Sequence, residues 1–155
     1  MRARELAEQF PVVSLTTDAL TAARAMGDQR HPGLIVCDDD GRPHTVLPGS
    51  QVLRFLLPAY IQDDPALARV YDERSSDELM TKLSDKSVKD LLPTRQDRDE
   101  LPVVDPDATT LEVAAVMVQM RSPIVAVVDE SGQLLGAVTL SRLFEVLFPG
   151  EPSAG

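Results

Sequence analysis

The residues best placed to do chemistry in this chain stand where a strand is followed directly by a helix. Thr139, Ser141 and Arg142 come directly after the apolar run Leu134–Val138 and open the last predicted helix. A helix N-terminus presents free backbone N–H groups and the positive end of the helix dipole, which favour phosphate. Two interpretations stay open: the hydroxyls contact a ligand or cap the helix, and the guanidinium binds phosphate or pairs with Glu145.

Other reactive residue types form no recognisable set. Cys37 is the single cysteine and lies in a predicted strand without a partner base, which indicates a core thiol rather than a nucleophile. His31 and His44 have no Cys/His cluster around them, and the acidic run Asp38–Asp40 is typical of a solvated turn. We therefore expect no enzyme activity of its own, no metal site and no required cofactor.

The elements around the candidate residues occur twice in the chain. Residues 10–58 align with residues 101–149 at a constant offset of 91, and the alignment needs no gap. A register that holds across turns and helices together indicates an internal duplication. The identical pairs include Pro11/Pro102, Val13/Val104, Ala23/Ala114, Met26/Met117, Asp38/Asp129, Gly41/Gly132, Leu56/Leu147 and Pro58/Pro149.

Each copy has the pattern of a βαββα unit, and the pattern is clearer in the second copy. Thr109 and Glu112 have the spacing of a capping box that starts a helix. Ile124–Val128 and Leu134–Val138 are apolar runs of strand length. The last helix gathers its apolar residues on one face, at Leu140, Leu143, Phe144, Leu147 and Phe148. Its counterpart in the first copy carries Val52, Leu53, Leu56 and Leu57.

The duplication divides the chain into four parts. We expect a first repeat with a leading helix at 1–58, a helical connector at 59–86, a second repeat at 87–149 and a flexible tail at 150–155. The connector lacks glycine and keeps a short apolar stripe, so we predict that it is helical and packs on the repeats. The stripe consists of Leu67, Val70 and Tyr71.

A leading segment is part of the duplication as well. Ala3–Leu6 resembles Val88–Leu91, which stands ahead of the second copy. We therefore expect a short leading helix over Arg2–Glu8.

Composition limits the class of protein and its partners. The chain has 155 residues, 43% of them hydrophobic, and no apolar run approaches the ~20 residues of a membrane span. A net charge of −10 opposes binding to nucleic acid, because such a site needs clustered Lys and Arg. The N-terminus is charged and resembles no secretory signal, and one cysteine forms no disulfide within the chain. We therefore expect a cytoplasmic protein without membrane insertion.

The apolar faces of the two final helices also predict self-association. A single thin α/β layer cannot bury either face completely, and exposed apolar stripes usually mark an interface. We therefore expect a homodimer that uses the faces around Leu53 and Phe144.

The segment Val127–Leu143, VVDESGQLLGAVTLSRL, resembles the signature of the cystathionine-β-synthase (CBS) domain, and Asp107–Leu111 fits the helix start that precedes it. Two such units in tandem resemble a Bateman module. The resemblance implies an α/β (α+β) fold in which two βαββα repeats pack about a pseudo-two-fold axis, with a helical connector between them. It also implies clefts that often hold AMP, ADP, ATP or S-adenosylmethionine.

Members that bind nucleotides often carry Gly-x-x-Thr-x-x-Asp at the strand–helix junction, with Thr on phosphate and Asp on the ribose. In the second copy Gly136 and Thr139 match, but Arg142 replaces the carboxylate. In the first copy only Ser50 and Gln51 keep polar capacity. The resemblance thus gives six candidate ligand-binding residues, which are Thr139, Ser141, Arg142, Ser50, Gln51 and Thr109.

Such modules commonly regulate transporters, channels or enzymes. The resemblance therefore implies a regulatory module that senses an adenosine-containing nucleotide in the cleft between the repeats and modulates a separate protein, such as a transporter or enzyme. The alternative is a ligand-free scaffold whose repeats only dimerise and dock on a partner.

Overall fold

The computed structural model describes residues 1–29, 33–70 and 74–150. His31, Tyr71 and the tail residues 151–155 lie outside the described residues. The described chain contains helices and two three-stranded sheets, so the predicted mixed α/β fold is confirmed. In the same part of the chain, no helix combines the length and the apolar character that a membrane crossing requires.

The elements repeat the same order in both halves. The first half contains α1 (Ala3–Leu6), β1 (Val12–Ser14), α2 (Ala19–Gln29), β2 (Gly33–Cys37), β3 (Pro43–Pro48) and α3 (Gly49–Leu56). The connector contains α4 (Ala59–Asp63), a 3-10 helix (Pro65–Val70) and α5 (Arg74–Leu83). The second half contains α6 (Val88–Leu91), a 3-10 helix (Arg95–Asp97), β4 (Val103–Val104), α7 (Thr110–Met120), β5 (Ile124–Val128), β6 (Leu134–Thr139) and α8 (Leu140–Leu147).

The chain forms two compact units, and each holds one sheet. The second-repeat unit contains Met1–Phe10, Asp40–Pro43 and the residues from Glu100 on. The first-repeat unit contains Pro11–Asp39 and His44–Asp99.

In the second-repeat unit the strand order is β4-β5-β6. β4 runs parallel to β5, and β5 pairs antiparallel with β6 so that Ile124 faces Thr139. α7 begins at Thr109, whose Oγ1 accepts from the Glu112 N–H at 3.1 Å, and it ends at Arg121 in the left-handed region. The helices cover one face of the sheet because their apolar residues join its inner face in one core. That core includes Leu6, Val104, Val113, Met117, Val125, Val127, Val138 and Leu143.

The first-repeat unit has the corresponding sheet, in the order β1-β2-β3. β1 runs parallel to β2, with Val12 opposite Ile35. All five residues of β2 are buried, as its unbroken apolar run predicts for a central strand covered on both faces. The core includes Ala19, Ala22, Leu34, Val36, Leu47, Val52, Leu56, Val88 and Leu91.

Each leading helix packs on the other repeat and not on the one that it precedes in the sequence. The Ala3 N–H donates to the Ala108 carbonyl at 2.8 Å, so α1 belongs to the unit of the second repeat. The Val88 N–H donates to the Thr17 carbonyl at 2.9 Å, so α6 belongs to the unit of the first repeat. The compact units therefore do not coincide with the predicted division into residues 1–58, 59–86 and 87–149. Each leading helix packs on the repeat that is distant from it in the sequence.

The described connector residues, 59–70 and 74–86, are largely helical, as predicted, and two residues of α5 hold this segment. Leu67 of the predicted stripe is 43% exposed. α5 instead packs on α2 and α3, with Leu83 buried and Leu79 half-buried in the core of the first-repeat unit. Lys82 Nζ also donates to the Leu56 carbonyl at 3.0 Å. The connector thus forms part of the first-repeat unit.

Candidate ligand-binding site

The junction between β6 and α8 is built around Thr139. Its backbone is extended, with φ −90° and ψ 160°, and its Oγ1 accepts from the Arg142 N–H at 3.2 Å. The Thr139 and Ser141 hydroxyls also lie 3.2 Å apart. Thr139 is thus the N-cap of α8, which was one of the two interpretations of this residue. Since one hydrogen serves the contact between two hydroxyls, the pair keeps a second hydroxyl hydrogen with which it can donate to an anion.

Arg142 binds the leading segment in the same unit. Its Nε lies 3.4 Å from the Leu6 carbonyl oxygen and 3.5 Å from Glu8 Oε1. Its Nη1 lies 3.3 Å from Glu145 Oε2, which is the pairing that the sequence allowed. About a quarter of the side chain is exposed, at 27%. Arg142 therefore joins α8 to the residues that follow α1, and it keeps access to solvent.

Gln51, the counterpart of Arg142, makes the equivalent contact in the first-repeat unit. Its Nε2 donates to the Leu91 carbonyl at 3.1 Å. Leu6 and Leu91 are the final residues of α1 and α6, and the last carbonyls of a helix lack partners within the helix. A donor at this position satisfies such a carbonyl, whereas a carboxylate would repel it. In both repeats, the Asp of the nucleotide-binding pattern is replaced by a donor because this position faces a helix-terminal carbonyl.

Gly136, which matched that pattern, has a packing role. A Cβ on Gly136 would lie 2.9 Å from the Glu8 carbonyl oxygen. The Glu8 N–H donates to the Ala137 carbonyl at 2.9 Å, and the Ala137 N–H donates back at 3.0 Å. The close approach of the leading segment to β6 therefore requires glycine at this position.

The first-repeat junction is chemically poorer. The N-cap of α3 is Pro48, which makes no side-chain cap hydrogen bond, and Ser50 is exposed in the first turn. Thr45, the counterpart of Gly136, is buried, and its Oγ1 donates to the Asp99 carbonyl at 2.7 Å. Gln51 is engaged as described above. Ser50 and Gln51 therefore share this junction of the first-repeat unit.

Thr109 lies elsewhere in the second-repeat unit. It borders a cavity of about 450 Å³ together with Met1, Arg2, Thr110 and Leu111. Its hydroxyl caps α7, and the Thr110 hydroxyl donates to the Met1 carbonyl at 3.0 Å. The structure therefore brings Thr139, Ser141 and Arg142 together at one junction, while Thr109 borders the cavity beside Met1 and Arg2.

Cys37 and His44, the other reactive residue types, are a buried thiol and a hydrogen-bonded imidazole. Burial, together with the negative charge of Asp38, raises the pKa of the Cys37 thiol, so this cysteine is held in its protonated form. Arg98 Nη1 lies 3.1 Å from His44 Nε2, and Arg98 Nε donates to the Pro93 carbonyl. Within residues 1–29, 33–70 and 74–150, His, Cys, Asp and Glu form no group of three or more that could hold a metal ion.

Comparison with known proteins identifies the family. The CBS domain model matches residues 88–149. A CBS domain-containing protein of unknown function from Kribbella flavida is 52% identical, and the match covers 95% of this chain and 98% of that one with a TM-score of 0.86. This chain belongs to the CBS-domain proteins. Its two βαββα repeats make it a tandem CBS, or Bateman, module, and CBS-domain proteins are generally regulatory rather than catalytic.

More distant solved structures share the CBS-pair fold. The CBS domain of a membrane protein from Sphaerobacter thermophilus is 18% identical, with a TM-score of 0.71 over 94% of this chain and 86% of that one. CBSX2, a protein of Arabidopsis thaliana, was solved in complex with AMP; it is 20% identical, with a TM-score of 0.63 over 94% of this chain and 95% of that one. No curated protein sequence matches this CBS-domain chain.

Proposed function

We propose that this CBS-domain protein is a regulatory module that binds an adenosine-containing ligand and modulates a separate partner. The ligands considered are AMP, ADP, ATP and S-adenosylmethionine. The observation that carries the proposal is the β6–α8 junction, where the Thr139 and Ser141 hydroxyls stand at a helix N-terminus beside a partly exposed guanidinium. CBSX2, which shares the fold, was solved with AMP.

The junction offers three kinds of attraction to a phosphate. The first turn of α8 supplies the positive end of the helix dipole, while its Leu140 N–H donates to the Pro123 carbonyl at 2.9 Å and its Arg142 N–H donates to Thr139 Oγ1. The hydroxyl pair supplies one hydrogen, and Arg142 supplies positive charge in a chain whose net charge is −10. Because the overall charge repels anions, recognition depends on this local arrangement.

Arg142 must exchange partners to bind phosphate. Its contacts with Glu8 and Glu145 are surface ion pairs, and such pairs contribute ~0–1 kcal/mol each. A charge-assisted hydrogen bond to phosphate contributes ~1.5–3 kcal/mol. The two ion pairs together contribute ~0–2 kcal/mol, so the exchange is favourable where the phosphate also meets the hydroxyl pair and the dipole of α8. It would free Glu8 from α8 when ligand binds.

The ribose is recognised less strongly than the phosphate in this proposal. Arg142 and Gln51 donate hydrogen bonds, and neither supplies the carboxylate that accepts from ribose hydroxyls in the nucleotide-binding pattern. We therefore propose that phosphorylated ligands bind more tightly than adenosine, and that the second repeat contributes more than the first.

A ligand-free docking scaffold is the second candidate function. The observation in its favour is the pair of equivalent contacts from Arg142 to the Leu6 carbonyl and from Gln51 to the Leu91 carbonyl. These contacts give both residues a structural role that needs no ligand. In either case we propose a cytoplasmic protein that acts in trans on a transporter or an enzyme.

A thermal-shift screen of the purified protein separates the two functions. The panel contains AMP, ADP, ATP, S-adenosylmethionine, NAD and cyclic dinucleotides. A ligand at 100 times its Kd that binds only the folded state stabilises it by about 2.7 kcal/mol. We expect such a shift with at least one phosphorylated adenosine ligand. No shift with any member of the panel would favour the scaffold.

A further inference from the structure

The connector forms a small cavity in the first-repeat unit. The cavity has a volume of about 210 Å³, and the turn between α3 and α4, the 3-10 helix at Pro65–Val70 and α5 contribute to its lining. All of its lining residues belong to one compact unit. Its interior is apolar, since Ile61 is buried and Leu79 is half-buried. The apolar lining consists of Leu57, Pro58, Ile61, Ala68 and Leu79.

The volume of the cavity limits the size of its ligand. Pockets for drug-sized ligands measure ~300–1,000 Å³, so a cavity of 210 Å³ suits a smaller molecule. At ~30 Å³ for each molecule of liquid water, the same volume has room for about seven non-hydrogen atoms. A whole nucleotide is too large for it. The side chain of leucine or of phenylalanine has a suitable size.

Glu78 and Lys82 bring opposite charges to the same cavity. They stand four residues apart on α5, with Glu before Lys, which is the order that favours an ion pair along a helix. The structure shows a different arrangement. Lys82 Nζ donates to the Leu56 carbonyl at 3.0 Å, and the Glu78 carboxylate has no hydrogen bond or ion pair with the described residues. Since an ammonium group has three hydrogens, Lys82 keeps two for a ligand.

Hydrogen bonds hold the walls of the cavity in place. Gln62 Nε2 donates to the Arg54 carbonyl at 3.1 Å and to the Leu57 carbonyl at 2.7 Å, which joins α4 to the end of α3. The Lys82 contact joins α5 to the same end of α3. A ligand therefore enters a cavity whose walls are already ordered, and this lowers the entropic cost of binding.

We propose that this cavity binds a free α-amino acid with an apolar side chain. The carboxylate of the ligand accepts from Lys82 Nζ, its ammonium group donates to Glu78, and its side chain enters between Ile61 and Leu79. A zwitterion satisfies both charges, whereas an apolar acid leaves Glu78 without a partner and an apolar amine leaves Lys82 with only the backbone carbonyl. The net charge of −10 further opposes a ligand that is only an anion.

The proposed amino-acid site is independent of the proposed nucleotide site. It lies in the first-repeat unit, and Arg142 belongs to the other unit. The connector at 59–86 also stands outside the duplicated segments 10–58 and 101–149. We therefore expect one amino acid per chain, bound equally well by wild type and by Arg142→Ala.

Calorimetric titration of the full chain with L-leucine and L-phenylalanine tests the proposal. Two analogues of leucine serve as controls, because 4-methylpentanoate lacks the ammonium group and 3-methylbutylamine lacks the carboxylate. We expect at least one of the two amino acids to bind with a stoichiometry of one. Each analogue should bind at least ~10-fold more weakly than leucine, since it loses one charge-assisted hydrogen bond.

Variants of α5 and of the cavity wall locate the site. Glu78→Gln and Lys82→Gln should each weaken binding by ~10-fold or more, because each removes one charge that the ligand meets. Asp77→Asn and Lys86→Gln change exposed charges that do not line the cavity, so the affinity should stay within ~3-fold of wild type. Ala68→Leu fills the cavity and should abolish binding. Circular dichroism on each variant checks that the fold is kept.

Three results would overturn the proposal. The first is no heat with either amino acid at ~10 mM, ten times a Kd of about 1 mM. The second is an equal affinity for leucine and 4-methylpentanoate, or an equal loss from Asp77→Asn and Glu78→Gln, which would show that the paired charges do not recognise the ligand. The third is a loss of amino-acid binding in Arg142→Ala, which would assign the ligand to the β6–α8 junction.

Discussion

Arg142 and Gln51 act on the leading helices through single hydrogen bonds. Arg142→Ala removes the contact with the Leu6 carbonyl, and Gln51→Ala removes the contact with the Leu91 carbonyl. We expect each change to cost ~0.5–1.5 kcal/mol of unfolding free energy. Hydrogen exchange should speed up in α1 for Arg142→Ala and in α6 for Gln51→Ala. Faster exchange of the wrong leading helix would contradict the assignment of partners.

Asp129 gives the β5–β6 turn a dependence on pH. A hydrogen bond from the Ser131 hydroxyl, followed by one from the Gln133 N–H, lowers the pKa of this carboxyl below its ordinary value. A lowered folded pKa means that the carboxylate stabilises the fold above the unfolded pKa of about 3.9, and that this stability is lost as the pH falls through the folded pKa.

Urea unfolding of Asp129→Asn measures that contribution. We expect the variant to be less stable than wild type by a constant amount above about pH 5, and the difference to shrink as the pH falls below the unfolded pKa of about 3.9. Glu130→Gln, at the exposed neighbouring position, is the control and should differ little from wild type at any pH. A difference for Asp129→Asn that does not change with pH would show that the carboxylate has no such role.

Gly136→Ala tests the packing of the leading segment against β6, and Gly27→Ala on the exposed side of α2 is its control. In Gly136→Ala the new Cβ would lie 2.9 Å from the Glu8 carbonyl oxygen, so we expect a loss of ~1–3 kcal/mol. In Gly27→Ala the new Cβ meets nothing within 4 Å, so we expect a gain of ~0.4–1 kcal/mol from the lower entropy of the unfolded chain. Chemical denaturation measures both, and a neutral Gly136→Ala would contradict the close approach.

The connector helix α5 is held by Leu83, whose side chain is buried in the core of the first-repeat unit. Leu83→Ala should cost ~2–5 kcal/mol, because the side chain is buried in the core of the first-repeat unit. Leu67→Ala should change the unfolding free energy by less than ~0.5 kcal/mol, because Leu67 is exposed. The opposite order in thermal or urea unfolding would contradict the observed packing of the connector.

Sequence reasoning predicted the elements whose patterns lie within a short stretch of the chain. The ungapped repeat, the Thr109 cap and the helical connector follow from spacing and periodicity, and the structure contains them. The partner of each leading helix could not be found in this way, because a four-residue helix carries no pattern that names the surface it packs on. The sequence feature nearest to this result is the match between Leu6 and Leu91, which indicates that the two leading helices have equivalent positions.

In the candidate site, the local role of Thr139 could be predicted from the sequence, and the long-range contacts of Arg142 could not. The sequence indicated that Thr139 opens a helix, and a hydroxyl there is equally suited to capping and to ligand binding. The role of Arg142 depended on Leu6 and Glu8, which are more than a hundred residues away. Contacts of that separation are set by the fold, so the sequence alone left its partner open between phosphate and Glu145.

At the scale of the whole molecule, the two repeats have the same fold and different surfaces. The first repeat uses its helix pair to hold the connector, and its junction lacks a side-chain cap. The second repeat keeps an open helix pair and a junction with two hydroxyls. Ligand binding is therefore expected to depend mainly on the second repeat.

Calorimetric titration with AMP and with adenosine, on wild type and on Arg142→Ala, tests whether the β6–α8 junction binds phosphate. We expect wild type to bind AMP more tightly than adenosine, because the phosphate meets the start of α8. We also expect Arg142→Ala to weaken AMP binding by ~1.5–3 kcal/mol, and Gln51→Ala to weaken it less. Tighter binding of adenosine than of AMP, or equal AMP affinities for wild type and Arg142→Ala, would contradict phosphate binding at this junction.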